Sequence, residues 1–364
     1  MLETQIEAIH YKNRLEDIDF TKKLKVAIVA GDRSGPFYHD YGVPIPFFQS
    51  VTGLEFTCFD ALNPLVQKGH DIIQFQRQYS PESCMILRKL REEGVVTMAL
   101  VDDNVWELPD TNPAKATYQG DILERYQLIL SETHSICTST PYLKQLIKPF
   151  NPNVYIWRNL VDPSIAQFRY FDRDNPEEIR IGWTLTIHHA GDAGIAMPAL
   201  VDICRKYPQV KLIFMGWMPP YIVQNVPKER YEYYDFVPVD AFYACFGSLD
   251  FDIGIAPLED NGFNWGKTAR KMQEYAILKI PAIVSPVRPY DEWSDGDTCL
   301  KPKDNTHANW VKALSRMIEE KELREKLVEN AYIQVMENHD INKYIFERAI
   351  PYYETYEKVQ KGEL

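Results

Sequence analysis

Apolar and polar positions along the chain fall into two patterns that take turns. Short, nearly unbroken apolar runs at 24–31 (LKVAIVAG), 54–60, 71–77, 95–103, 135–139 and 153–157 read as strands. Between them, stretches with helical spacing fill 61–68, 81–93, 114–128 and 141–148. An unbroken apolar run marks a strand covered on both faces, and regular strand–helix alternation predicts a parallel sheet with helices on each side. The stretch 32–46, rich in Gly, Pro, Ser and Asp, is expected to be a loop at the end of the first strand. Residues 1–23 read as a polar lead-in with a helix.

After a charged, loop-like stretch at 164–178 the alternation starts again. Strands are expected at 179–184, 210–216, 231–238, 251–258 and 281–285. Helices are expected from Asp192 to Tyr207 and at 240–249, 267–279, 306–319, 322–337 and 341–359. Asp192 is placed to cap its helix. The whole reads as two doubly wound α/β domains, and 364 residues suffice for two.

Composition narrows the function. A formal net charge of −12 argues against a protein that grips long stretches of nucleic acid. Aromatic residues at 13% can serve a core, and also a carbohydrate cleft that stacks sugars on flat faces. The six cysteines are scattered singly with no CxxC pair, as free thiols in a reducing, cytoplasmic setting would be. No apolar run reaches the 18 residues of a membrane span. Peripheral membrane contact is left open. His188 and His189 form a pair, but the only nearby acid, Asp192, follows on the same helix start and no third ligand is evident, so no metal site is expected.

The richest chemistry lies in 251–286, FDIGIAPLEDNGFNWGKTARKMQEYAILKIPAIVSP. It reads as strand, loop, helix, strand. The loop carries two glycines and two asparagines, and Lys267, Arg270 and Lys271 are expected on the first turns of the helix. A helix N-terminus with added basic residues suits a phosphate or diphosphate, and Glu274 one turn on can accept hydrogen bonds from sugar hydroxyls. The alternative is a solvated basic helix face. Both lysines are expected at a surface, so that their replacement should cost little stability. At 24–35 no GxGxxG follows the first strand, so a dinucleotide fingerprint is missing. Asp102 and Asp103 end the strand 95–103, and neighbours on a strand point to opposite faces, so they are not expected to act as a pair.

The stretch Pro257-Leu258, Lys267, Lys271, Glu274-Tyr275-Ala276 and Pro281 to Ser285 resembles the donor-binding signature of family-4-like, retaining glycosyltransferases of the GT-B fold. Asp102-Asp103-Asn104-Val105-Trp106, Arg158-Asn159-Leu160-Val161-Asp162 and the His189/Asp192 pair are similar to further stretches of that group. Many members carry a Glu-x7-Glu pair, and Gly266 stands here at the first of those glutamates; Glu259 or loop amides are the candidates to replace it.

The resemblance implies two Rossmann-like domains facing a cleft. They would be an acceptor domain at 1–160, a linker at 161–178, a donor domain at 179–340 and a terminal helix at 341–364 that returns to the first domain. It implies transfer of a sugar, with retention and without a metal, from a UDP- or GDP-sugar to a hydroxyl acceptor such as a glycan or lipid-linked glycan. Lys267, Lys271, Asp103 and His189 would carry catalysis. Glu274, Gly216, Trp217, Glu259, Asn261, Gly262, Phe263, Asn264 and Gly266 would bind the donor. Gly31, Ser34, Gly35, His39 and Asp102 would face the acceptor. The nucleotide sugar is a substrate, and no prosthetic group is expected. The alternatives are a phage-type enzyme glycosylating a hydroxylated base in DNA, a phosphorylase or epimerase on the same plan, and a non-catalytic protein that only binds sugar nucleotides or glycans.

Overall fold

A computed structural model describes residues 15–61, 69–170, 175 and 177–364. The helix expected at 61–68 falls, from residue 62 on, outside the described residues, as does the lead-in up to residue 14. The chain divides into two compact units. One comprises 1–106, 116–160 and 341–364; the other comprises 107–115 and 161–340.

The first unit is built on a six-stranded parallel sheet of order β2-β1-β3-β4-β5-β6. Its strands are β1 (Leu24–Ala30), β2 (Leu54–Phe59), β3 (Ile72–Gln76), β4 (Val96–Val101), β5 (Ser135–Thr138) and β6 (Val154–Ile156). Each lies in or beside one of the expected apolar runs. One face packs Ala27, Val29, Ile73 and Phe75 beneath Leu87, Leu90 and Ile129 of helices α2 (Pro81–Glu92) and α3 (Gly120–Glu132). The other packs Val26, Ile28, Met98 and Leu100 against Phe48 of α1 (Pro44–Val51) and Tyr352 of the terminal helix Ile341–Gln360. Helix α4 (Pro141–Ile147) connects β5 to β6.

Hydrogen bonds as well as apolar packing seat the terminal helix. Tyr352 Oη donates to Gln74 Oε1 at 2.6 Å, and Tyr353 Oη donates to the Phe20 carbonyl at 2.9 Å. The Arg348 guanidinium, 1% exposed, lies 3.9 Å from the Trp157 ring centroid. A buried arginine over an aromatic face keeps its charge while losing water.

Two expectations change in this unit. The stretch 32–46 is not an open loop. From Gly35 to Val51 the backbone is nearly all helical, with a five-residue π-helix at Tyr38–Gly42. Three prolines sit at early helical positions, where a missing N–H costs nothing. The helix expected at 114–128 is split into a turn at Pro113–Ala116 and α3, with Gly120 at φ +52° at the join.

The second unit holds a five-stranded parallel sheet of order β11-β10-β7-β8-β9. Its strands are β7 (Ile179–Leu185), β8 (Val210–Gly216), β9 (Tyr231–Tyr234), β10 (Ile253–Ala256) and β11 (Ala282–Val284). Helices α5 (Ala190–Lys206), α6 (Pro220–Asn225), α7 (Phe242–Ser248), α8 (Gly262–Trp265), α9 (Arg270–Ile277), α10 (His307–Glu319) and α11 (Lys321–Asn338) surround it. The terminal helix of the first unit follows as α12. Buried side chains of α5 and α10, Trp310 among them, form one large core with Trp183, Leu212 and Phe214 of the strands. The stretch 164–178 is not wholly irregular: Pro163–Phe168 forms a short 3-10 helix capped by Asp162.

Candidate functional site

In each sheet the strands run parallel, so their carboxyl ends gather at one edge, where loops of an α/β sheet meet ligands. Almost all the predicted site residues lie at these two edges.

At the second edge, Lys267 does not start the long helix as expected. The loop 259–266 contains the short helix α8, Lys267 follows it, and α9 begins only at Arg270. Asn261 makes this turn possible, because its side chain accepts from Asn264 N at 2.9 Å. The Lys267 ammonium lies 4.3 Å from the Phe263 ring centroid. Lys271, in the first turn of α9, donates to Glu274 Oε2 at 2.7 Å and to Thr184 Oγ1 at the end of β7. Glu274 is 3% exposed. Its carboxylate is therefore the buried partner of a half-buried lysine.

Asp192 is not the cap of α5 either. It lies inside the first turn, with His189 at the cap position. Its carboxylate, buried, ties two loops together. Oδ2 receives His189 Nδ1 at 2.8 Å, and Oδ1 receives Glu259 N at 2.8 Å and Asn264 Nδ2 at 2.9 Å. A carboxylate can only accept, so Nδ1 of His189 carries the proton and Nε2 is the basic nitrogen. Burial pushes the His189 imidazole below its ordinary range. Asp192 works upward, and the positive charges of Lys267 and Lys271 work downward.

The Glu259 carboxylate reaches the start of α5, where a methyl group on Gly191 would lie 2.9 Å from Glu259 Oε2. Burial, then Asp192, raises its pKa. Glu107, from the short segment 107–115, sets its carboxylate against Gly262. Gly266 ends α8 in ordinary right-handed geometry and offers no side chain. Gly216, at the end of β8, has φ +97° and passes the Leu185 carbonyl so closely that a Cβ would stand 2.5 Å from it; only glycine fits. Trp217, beside it, packs partly buried against the core.

The first edge is centred on an arginine. Arg77 follows β3 at φ +51°, a conformation few side chains adopt. Its guanidinium donates through Nη2 and Nε to the Asp102 carboxylate at 2.6 and 3.3 Å, and through Nη1 to Asp32 Oδ2 at 2.8 Å. Asp103 Oδ2 lies 3.5 Å from Nη2. The expectation that Asp102 and Asp103 point apart fails because β4 ends at Val101; both acids follow the strand, free of its alternation.

Burial lifts the Asp102 carboxyl above its usual range against the pull of Arg77, and Asp103 adds to the lift. Asp32 is also buried in part, yet hydrogen bonds from Ser34 and the charge of Arg77 bring its carboxyl below the usual range. Gly31 donates to the Gln76 carbonyl at 2.8 Å, and a Cβ there would stand 2.5 Å from the Arg77 carbonyl. Gly31, Ser34, Asp102 and Asp103 are thus brought together, while Gly35 and His39 lie further along on the helical stretch.

Sequence reasoning missed Thr184 and the pairing of Arg77 with Asp32 and Asp102. The partners of Arg77 lie 25 and 45 positions away, so no spacing rule links them. The one local signal was a lone arginine ending an apolar strand. Among the described residues no group of three or more His, Cys, Asp or Glu could hold a metal ion, and all six cysteines are free thiols. No helix among them is long and apolar enough to cross a membrane.

No protein-family model matches the sequence, and no curated protein matches it. Solved structures do. HepE of Anabaena, crystallised with UDP and glucose, superposes with a TM-score of 0.64 at 10% identity over 90% of this chain and 100% of that one. Sucrose-phosphate synthase from Thermosynechococcus elongatus gives 0.65 at 11% identity over 92% and 100%. A glycosyltransferase from Rickettsia africae gives 0.64 at 12% identity over 93% and 99%. At such low identity the likeness speaks for the fold alone, and that fold, two all-parallel α/β units, is GT-B.

Proposed function

We propose that this chain is a glycosyltransferase that moves a sugar, with retention and without a metal, from a nucleotide-diphosphate sugar to a hydroxyl acceptor. The observation that carries the reading is the position of Lys267 and Lys271 in the segment that follows β10 at the carboxyl edge of the second sheet, with Lys271 bonded to Thr184 at the end of β7. HepE, which shares the fold, was crystallised with UDP and with UDP-glucose.

Breaking an anomeric C–O bond leaves charge on the departing diphosphate. Two ammonium groups fixed in place beforehand stabilise that charge without rearranging during the step. Lys271 is fixed by Thr184 and Glu274, and Lys267 rests on Phe263. Glu274 holds the ribose hydroxyls and keeps Lys271 oriented. Asn261, Gly262, Phe263 and Asn264 line the donor, and Gly216 and Trp217 border its base. Glu259, with its raised pKa, supplies the acidic sugar contact that Gly266 cannot. The acceptor hydroxyl lies on the side of Asp102, Asp103 and Arg77.

The test is to incubate the protein in EDTA with UDP-glucose, UDP-N-acetylglucosamine or GDP-mannose and maltose as acceptor, follow nucleotide release, and read the product's anomeric configuration by NMR. The proposal expects release with one donor and an α-linked product from an α-donor. A β-linked product would remove retention, and strict dependence on a divalent ion would remove metal independence.

A further inference from the structure

We infer that Ser285 and Asn305 are positioning residues: together they set the path of the loop 259–266, and through it the placement of Lys267. This rests on the glycosyltransferase reading for what the loop binds; the positioning itself follows from the hydrogen bonds at the root of the loop.

Strand β10 ends at Ala256, so Leu258 and Glu259 lie past its ladder. Their backbone groups must find other partners, and side chains supply all four. Leu258 N donates to Ser285 Oγ at 2.8 Å, and the Leu258 carbonyl receives Asn305 Nδ2 at 2.9 Å. Glu259 N donates to Asp192 Oδ1 at 2.8 Å, and the Glu259 carbonyl receives Asn264 Nδ2 at 3.0 Å. Ser285 follows β11, Asn305 lies just before α10, and Asp192 lies in α5. Segments distant in sequence thus meet on two residues.

The part made by Ser285 and Asn305 allows a single arrangement. Ser285 Oγ accepts from Leu258 N, so its own proton goes to Asn305 Oδ1, 2.8 Å away. Trp310 Nε1, a group that can only donate, lies 3.2 Å from the same Oδ1. This settles which end of the Asn305 amide is oxygen and turns Nδ2 toward the Leu258 carbonyl. Trp310 and Ser285 are fully buried, and Leu258 nearly so. Trp310 belongs to the large core of this unit, so Asn305 hangs the root of the loop on that core. At buried groups a lost partner is costly, because water does not readily replace it.

From the root the order runs on to the lysine. Asn264, buried, bonds Asp192 Oδ1 and the Glu259 carbonyl through Nδ2, and its own carbonyl receives Lys267 N at 3.0 Å. A rotation at Leu258 therefore carries Asn264 and Lys267 with it. Placement decides what a charged group is worth: a displacement of about 1 Å costs up to roughly 10²-fold in rate. Ser285 and Asn305 act on the ligand through Leu258.

The full-length protein is compared with Ser285→Ala and Asn305→Asp. The first variant removes the hydroxyl that Leu258 N uses. The second keeps an oxygen for Ser285 and Trp310 but sets another against the Leu258 carbonyl. Melting curves check that each variant is folded. Hydrogen exchange without ligand reads the loop, and isothermal titration of UDP in EDTA reads the site. Amides of 258–267 should exchange faster in both variants while β7 and β8 keep their protection. UDP affinity should fall roughly tenfold. That fall should largely disappear where Lys267→Ala is already present, since both variants act through Lys267. Loop exchange that is unchanged, or raised evenly over the whole sheet, overturns the inference. So does an unchanged UDP affinity in a loosened loop, or a loss that simply adds to that of Lys267→Ala. A wild type that ignores UDP, with the loop loosened in the variants, sinks the transferase reading and spares the positioning of the loop. UDP binding by the wild type, with the loop undisturbed in the variants, does the reverse.

Discussion

The two sheet edges are built from the same architecture and carry opposite electrostatics. At the second, Lys267 and Lys271 lie in the segment that follows β10, and burial holds the nearby His189 imidazole below its ordinary range. At the first, a single arginine is saturated by three carboxylates. A parallel sheet presents its strand ends to ligands in either case; what they attract is decided by a handful of side chains in the loops. The cationic edge suits a leaving diphosphate.

The largest expected effect separates two roles of Lys271. Its loss should lower transfer by about 10²–10³-fold. The structure adds a cost that sequence reasoning did not expect. Glu274 is buried, and Lys271→Ala breaks its ion pair inside the protein, so the variant should lose about 2–4 kcal/mol of stability by urea melts. Adding Glu274→Gln should restore most of the stability and none of the activity. Lys267→Ala removes charge from the same edge with a partly exposed side chain, so activity should fall with the melting temperature nearly unchanged.

At the other edge, Arg77→Met should cost roughly 2–4 kcal/mol, because it leaves three carboxylates facing one another. That loss should shrink as pH falls toward the carboxylate range and protonation relieves the repulsion. A pH-independent loss would mean that Arg77 serves packing alone.

The smallest effect compares two histidines. His134, in the first unit, receives Thr97 N on Nδ1 at 3.0 Å, and burial drives its pKa down to about 4. His189 is lowered by burial and by the two lysines. In both, the unfolded chain takes up a proton near the ordinary value of about 6.5 while the folded one stays neutral. Their contribution to stability is therefore fully present above that pH and is lost as pH falls; for His134 the loss runs from there down to about 4. A bound diphosphate should raise the His189 pKa by offsetting the lysines and leave His134 where it is. NMR titration with and without UDP reads both.

The fold was largely legible in the sequence because its signal is local: unbroken apolar runs mark buried strands wherever they occur. The second edge was partly legible for the same reason, since Lys267, Lys271 and Glu274 lie within one strand–loop–helix unit. What the spacing did not show was burial. It placed Glu274 correctly on the helix but could not tell that it would be buried against Lys271. The first edge was hidden because its pieces come from three strands far apart in sequence, and a carboxylate after a strand looks the same whether or not an arginine waits beside it. The helical stretch Gly35–Val51 was hidden by prolines and glycines that read as loop residues but occupy helix starts and a π-helix end.

The most direct test of the central claim, that the second edge is a diphosphate site, is isothermal titration of UDP in EDTA into the wild type and Lys267→Ala. The account predicts that UDP binds the wild type without a metal and that Lys267→Ala loses at least about tenfold in affinity. Unchanged affinity in the variant, or no binding to the wild type, would contradict it.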